Sequence, residues 1–320
     1  MRFRYVYGPV PSRRLGRSLG VNPIPYKTCN YSCVYCQLGR TSRMTNTRRA
    51  FFPSEEIAAE IRLVLKSRAS RADYVTFVGE GEPTLCRGLG DLIARTKEMT
   101  TLPVAVITNG SLLYRREVRQ ELARADLVMP SLDAADQQTF QRVSRPFRAL
   151  RIERLIEGMI RFRQRYTGKL WIEVMLVQGL NDLEEPLLQI RRVLAQVAPD
   201  RVCVNVPIRP PAEAWVRPPD AEGLARAHRI IGDVVLVDQP EVGEFSTAGF
   251  DDPVEAVSVM VRRHPMRLEQ IQETLSGFPP AAIASALEEL ENTGKLQKVN
   301  YQGTTYFACG SGRFAGRARR

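Results

Sequence analysis

The stretch CNYSCVYC, Cys29 to Cys36, places cysteines at positions 29, 33 and 36. A structural zinc site closes with four ligands, so this stretch is one donor short. An iron-sulfur cubane held by three thiolates instead leaves one iron open to a small molecule. Pro23 and Pro25 oppose a helix just upstream, so one compact loop can turn all three thiols toward one centre. Spacing alone leaves zinc open, with Cys86, beyond an expected strand ending at Val78, as a distant fourth ligand.

The rest of the chain sets the context for those thiols. Its 320 residues suffice for one large domain and a small one. A hydrophobic fraction of 44% supports an ordinary core. The formal charge of +11 favours an anionic partner, with solubility as the plain alternative. The opening MRFRYVYGPVPSRR is charged and has no apolar h-region, and no apolar run is long enough for a bilayer. A cytoplasmic protein without membrane partners is therefore expected. In that reducing compartment clustered cysteines bind metal or react rather than form disulfides. Cys86, Cys203 and Cys309 are scattered, and with only His228 and His264 present, multi-histidine chemistry is excluded.

Apolar runs such as VAVIT, LVMPS and VCVNV read as buried parallel strands, and helical periods separate them. The pattern predicts an α/β fold, a partial (β/α)6 barrel over residues 1–231 with its functional loops at the carboxyl ends of the strands. A linker is expected over 232–252. Three helices and a hairpin over 253–311 predict a small C-terminal winged-helix domain, followed by a basic tail at 312–320.

The CX3CX2C spacing, with Tyr35 before the last cysteine, resembles the signature of the radical S-adenosylmethionine (SAM) superfamily. GEGEPTL (Gly79–Leu85), ITNGSLL (Ile107–Leu113) and PSLDAAD (Pro130–Asp136) resemble that family's strand-end segments, in the expected order. YGPVPSRRLGRSLGVN resembles an uncharacterised branch labelled iron-sulfur oxidoreductase, with some likeness to wyosine-forming tRNA enzymes and molybdenum-cofactor cyclases. The resemblance implies a 4Fe-4S cluster on Cys29, Cys33 and Cys36, whose open iron chelates SAM. It further implies SAM contacts from Tyr35, Gly81, Glu82, Asn109 and Ser131, with Glu82 on the cofactor ammonium. Glu80, between Gly79 and Gly81, departs from the family pattern and leaves open which glutamate does this work; Glu82 is the choice here. Asp133 reads as a helix cap. The implied reaction is reductive cleavage of SAM to a 5′-deoxyadenosyl radical that abstracts hydrogen from a substrate. It needs a low-potential electron donor such as a flavodoxin or ferredoxin.

Arg13, Arg14 and Arg17 form a basic cluster before the cysteines, suited to an acidic or phosphorylated substrate such as tRNA or another anionic molecule. A winged helix can bind nucleic acid, here through Lys295, Lys298, Arg262, Arg263 and Arg267. The alternative from a different class is a zinc-stabilised winged-helix nucleic-acid-binding regulator. The ordered strand-end segments favour the enzyme, because a regulator has no use for them. No catalytic or radical-quenching residue is assigned.

Overall fold

The computed structural model describes residues 3–68, 71–237 and 250–314. The main sheet opens with an antiparallel hairpin, β1 (Val6–Ser12) against β2 (Gly16–Val21). The cysteine loop follows, carrying the paired two-residue strands β3 (Thr28–Cys29) and β4 (Arg43–Met44). Helix and strand then alternate: α1 (Ser54–Arg68), β5 (Tyr74–Phe77), α2 (Leu89–Met99), β6 (Val104–Thr108), α3 (Arg116–Leu122), β7 (Leu127–Pro130), α4 (Gln137–Val143), α5 (Ile152–Arg163), β8 (Lys169–Met175), α6 (Glu184–Val197), β9 (Arg201–Asn205), α7 (Ala221–Ile231) and β10 (Val235–Val237). The eight-stranded sheet has the order β1-β2-β5-β6-β7-β8-β9-β10, is parallel from β2 onward, and curls as a half barrel.

Side chains alternate across each strand, and the two faces have different jobs. Val75, Phe77, Val104, Val106, Val128, Ile172 and Val204 face the helices in the main core. Their neighbours Ala105, Leu127, Met129, Trp171 and Cys203 form a second apolar cluster, capped by Leu15 from the β1–β2 turn. Fully burying an aliphatic side chain is worth about 1.5–3 kcal/mol, so both faces hold the sheet. Toward the carboxyl ends the second face turns polar, with Ser18 and Thr76 sharing a 2.6 Å hydrogen bond and Glu173 and Asn205 on the same side.

The βα alternation matches the expected units, and two edge strands were not foreseen. β1 lies in VYGPVPS, whose prolines weaken the strand signal but are tolerated where one edge needs no donor. β10 occupies Val235–Val237, inside the expected 232–252 linker, and pairs with β9. The remainder of that linker from 238 to 249, and the tail from 315, lie outside the described residues.

The C-terminal segment comprises α8 (Pro253–Arg263), α9 (Leu268–Thr274), α10 (Pro280–Asn292), β11 (Leu296–Tyr301) and β12 (Thr304–Cys309). Asp252 starts α8 by accepting from Val254 N and Glu255 N. The hairpin turns on Gln302 and Gly303, at φ 49° and 76°, the paired positive values of a tight two-residue loop. Ala256, Val257, Ile271, Ile283, Leu290 and Phe307 form a core of their own. Among the described residues, no helix is long and apolar enough to cross a membrane.

Gly158 in α5 lies against the chain after β6, where an added Cβ would sit 2.4 Å from Leu113 C and Tyr114 N. Alanine gains about 1 kcal/mol of helix propensity. Overpacking onto backbone costs about 1–3 kcal/mol, and backbone cannot swing aside. Gly158→Ala is therefore expected to destabilise by up to about 2 kcal/mol net, seen as a lower urea midpoint at unchanged slope. A raised midpoint would mean that α5 shifts without cost.

Candidate active site

A cavity of about 320 Å³ opens at the carboxyl ends of the half-barrel strands. Its wall includes Cys29, Cys33 and Cys36 from the loop after β2, Gly79 and Gly81 after β5, and Met175 and Asn205 at the ends of β8 and β9. Parallel strands bring all these loops to one end, which is why positions so far apart in sequence meet.

Burial dominates the electrostatics of the thiols. It pushes Cys29 up to about 12, helped by the nearby Glu82 carboxylate. Cys33 is raised well above the ordinary thiol value, by burial first and then by Cys36 and Cys29. Lys27 is 3% exposed. Burial works against its charge, but the Cys36 and Cys29 sulfurs outweigh this and hold its pKa up. Its Nζ donates to Cys36 Sγ at 3.2 Å. Three thiolates could not share this wall against one ammonium; they need further positive charge, which cluster irons supply. The all-thiol donor set fits a 4Fe-4S cluster. Cys86, the reserve zinc ligand, lies instead among Arg48 and Glu121. Cys203 is a buried core thiol, as its sequence context implied.

Residues 79–82 pack along the cysteine loop. Lys27 N donates to Glu80 O at 2.6 Å and Glu82 N to Thr28 O at 3.1 Å. A Cβ on Gly81 would fall 1.9 Å from Thr28 O, so only glycine permits this approach. The two glutamates then go opposite ways. Glu82 is 1% exposed. Its carboxylate accepts from Thr84 N at 3.0 Å, the Thr84 and Thr108 hydroxyls at 2.5 Å each, and Asn109 N at 2.7 Å. Those donors match the roughly four acceptor sites of a carboxylate. Burial still raises its pKa above the ordinary value, with these bonds opposing. Glu82 thus ties the β5 and β6 ends together. Glu80 is 3% exposed and pairs with Arg262 at 2.9 Å and Arg263 at 3.2 Å, at the end of α8.

Tyr35 lines the cavity, and its hydroxyl donates to Asp133 Oδ2. Asp133 also accepts from Met175 N at 2.9 Å, and burial lifts its carboxyl to about 6. The expected capping role belongs to Asp136, which accepts from Thr139 N; Asp133 braces strand ends instead. Asn109 donates to Asn30 Oδ1 at 2.8 Å and approaches Cys29 Sγ at 3.7 Å, so it fastens the cysteine loop. Ser131 joins strand ends through its N–H to Thr108 O and a bridge to Glu173. Glu82, Asn109 and Ser131 stand outside the cavity wall, whereas Tyr35 and Gly81 are in it.

The arginines separate as well. Arg14 forms an ion pair with Glu173, and Arg13 donates to Val237 O; both line the cavity. Arg17 does not reach it, because Asp73 holds its guanidinium at 3.0 Å in the exposed periphery. Of the cations expected on a nucleic-acid face, Arg263 turns inward to Glu80, Arg262 pairs with the same carboxylate while its side chain stays exposed, and Lys298 pairs with Glu291 at 2.8 Å. The Arg263 guanidinium carbon also sits 4.2 Å from the Tyr7 ring centroid. Sequence reasoning missed Lys27, Glu173, Asn205, Arg209 and His264 as cavity residues. Strand alternation marks Glu173 and Asn205 as facing the lumen; nothing local marks the other three.

The C-terminal unit touches several of these same loops. Gln37 donates to Arg263 O at 3.0 Å, and the Tyr301 and Tyr306 hydroxyls to the Pro207 and Ile208 carbonyls at 3.0 and 3.3 Å. His264 forms part of the cavity wall.

Glu82→Gln replaces an acceptor oxygen with an amide that faces hydroxyl or N–H donors. Charged hydrogen bonds contribute about 1.5–3 kcal/mol each, and one buried mismatch costs about 1–3 kcal/mol. We expect a loss of about 2–4 kcal/mol in denaturant unfolding without any ligand present. Unchanged stability would return Glu82 to a purely ligand-binding role.

The radical SAM superfamily profile matches residues 24–190. A UPF0026 protein of Methanocaldococcus jannaschii is 35% identical over 94% of both chains. A GTP 3′,8-cyclase of Stenotrophomonas maltophilia is 29% identical over 50% of this chain and 47% of its own. Among solved structures, a radical SAM methyltransferase from Sphaerobacter thermophilus has a TM-score of 0.51 at 19% identity, covering 69% of this chain and 66% of that one, and it attests the fold. The zinc-stabilised regulator gains no support from these relatives. The profile over the cysteine loop and strand ends, together with the full-length relative, means that this chain belongs to the radical SAM superfamily and, within it, to the UPF0026 family.

Proposed function

We propose that this radical SAM enzyme acts on a small anionic molecule inside a capped cavity. Radical SAM proteins bind a 4Fe-4S cluster and SAM, and this chain is an enzyme of that kind. When bound, the cluster supplies the electron that cleaves SAM and so generates a radical. In our reading Cys29, Cys33 and Cys36 ligate the cluster. Gly81 and Tyr35 form the wall against which SAM lies. Glu82, Asn109 and Ser131 act behind that wall, holding the strand ends and the cysteine loop in position. Lys27 compensates thiolate charge from within the protein.

The observation that carries the substrate class is the single cavity shared by the thiols, Arg13, Arg14, Arg209 and His264. Arg13 and Arg209 offer planar donors suited to a carboxylate or phosphate. Arg14 is balanced by Glu173, so that pair reads as an orienting element for hydroxyl or amine groups. Tyr7, Leu15, Ile107 and Met175 contribute apolar wall, which keeps water from a reactive species. The C-terminal helices and hairpin, a winged-helix-like unit over about residues 253–311 in our reading, act as the cap. The pairing of Arg262 and Arg263 with the barrel's Glu80 favours capping. A flavodoxin- or ferredoxin-like donor and a cytoplasmic setting complete the proposal.

Two measurements test it. Cys33→Ala should lose cluster iron and SAM cleavage together after anaerobic reconstitution; retention of both would remove Cys33 from the ligand set. Reconstituted enzyme should take deuterium into 5′-deoxyadenosine from a deuterated pool of small carboxylates and phosphate esters. Transfer from deuterated tRNA, with none from the small pool, would overturn the capped-cavity reading.

A further inference from the structure

A second cavity, of about 920 Å³, lies between the barrel and α8. It shares no lining residue with the cavity at the thiols. Its charged wall consists of the guanidiniums of Arg4, Arg43, Arg262 and Arg263 and the carboxylate of Glu80, an excess of three positive charges. Glu80 is engaged by Arg262 and Arg263. Among the described residues, Arg4 and Arg43 are ion-paired with no carboxylate. Bringing cations together without balancing anions is unfavourable, and solvent screening lowers that cost without removing it.

Aromatic faces accompany the charge. The Arg4 guanidinium carbon lies 5.0 Å from the Phe52 ring centroid, and that of Arg262 lies 5.1 Å from the Tyr26 centroid. Tyr26 and Phe52 both line the cavity. A guanidinium resting on a ring keeps its N–H edge available for phosphate oxygens. Aromatic faces beside such edges complement a base attached to phosphates.

We infer that this cavity binds a nucleoside polyphosphate, its phosphates held by Arg4, Arg43 and Arg262 and its base beside Phe52. Arg4 and Arg43 belong to the barrel and Arg262 to the C-terminal unit, so the ligand bridges the two.

Calorimetric titration of the full chain, without SAM or reductant, tests it using ATP, GTP, inorganic pyrophosphate and a single-stranded oligonucleotide. ATP or GTP should bind, more weakly as salt rises. Arg43→Gln, at an exposed position, should weaken binding about tenfold, the loss expected from one charged hydrogen bond. Phe52→Leu should weaken the nucleotide about fivefold or more and leave pyrophosphate unchanged. SAM cleavage by reconstituted Arg43→Gln should match the parent. Absence of binding, or binding indifferent to Arg43→Gln, overturns the site. Pyrophosphate binding as tightly as ATP overturns the base contact. Capture of the oligonucleotide alone would reassign the cavity to nucleic acid and overturn the nucleotide assignment.

Discussion

The close packing of the 79–82 strip on the cysteine loop is the constraint from which the rest of the site follows. Two backbone hydrogen bonds, Lys27 N to Glu80 O and Glu82 N to Thr28 O, fix the two segments side by side. Because Gly81 has no Cβ, Thr28 O can approach at a distance that any other residue would block. That contact sets where Cys29 stands relative to the β5 end. It also brings the Lys27 side chain to Cys36 and sends the two glutamates to opposite sides. Cluster ligation, charge compensation and attachment of the C-terminal unit all converge on a few backbone atoms. Backbone is the part of the chain least able to drift when side chains change.

Charge is distributed by the same logic. Three buried carboxylates near the site are answered by the protein itself: Glu82 by hydroxyls and N–H groups, Glu80 by Arg262 and Arg263, Glu173 by Arg14. Such groups are expensive to bury alone and strongly destabilising once a partner is lost. Glu213 follows suit beside the cysteine loop, where its N–H donates to Val34 O: it is 3% exposed and held between Arg40 and Arg145. The basic excess visible in composition is partly spent on these internal pairs, and a concentrated remainder gathers at the seam with α8.

How far the sequence could be read depends on the kind of signal. The helix-facing strand positions and the order of the βα units were legible because parallel strands write continuous apolar runs. The cysteine spacing was legible because it is local. β1 was hidden by its prolines, and β10 by having only three residues. Glu80 looked like a mere departure from a motif, because its partners lie 182 and 183 positions away, beyond any local pattern. Asp133 and Asp136 lie three positions apart and divide bracing and capping between them, a choice made by the path of the loop and not by residue type. Glu82 shows the same limit: a glutamate before proline has many uses, and only Thr108 and Asn109 brought alongside determine this one.

The two faces of the half barrel also differ in what they permit. Helix-facing residues such as Phe77, Val106 and Val204 are locked by neighbours on every side. The intervening residues, Thr76, Ile107, Glu173 and Asn205, look only into the lumen. Lumen positions at the strand ends can therefore change without disturbing the outer core, whereas the deeper Ala105, Leu127, Met129, Trp171 and Cys203 are packed against one another. A chain built this way can exchange one substrate for another over its history through a handful of alternate residues, while the fold and the thiol loop stay as they are.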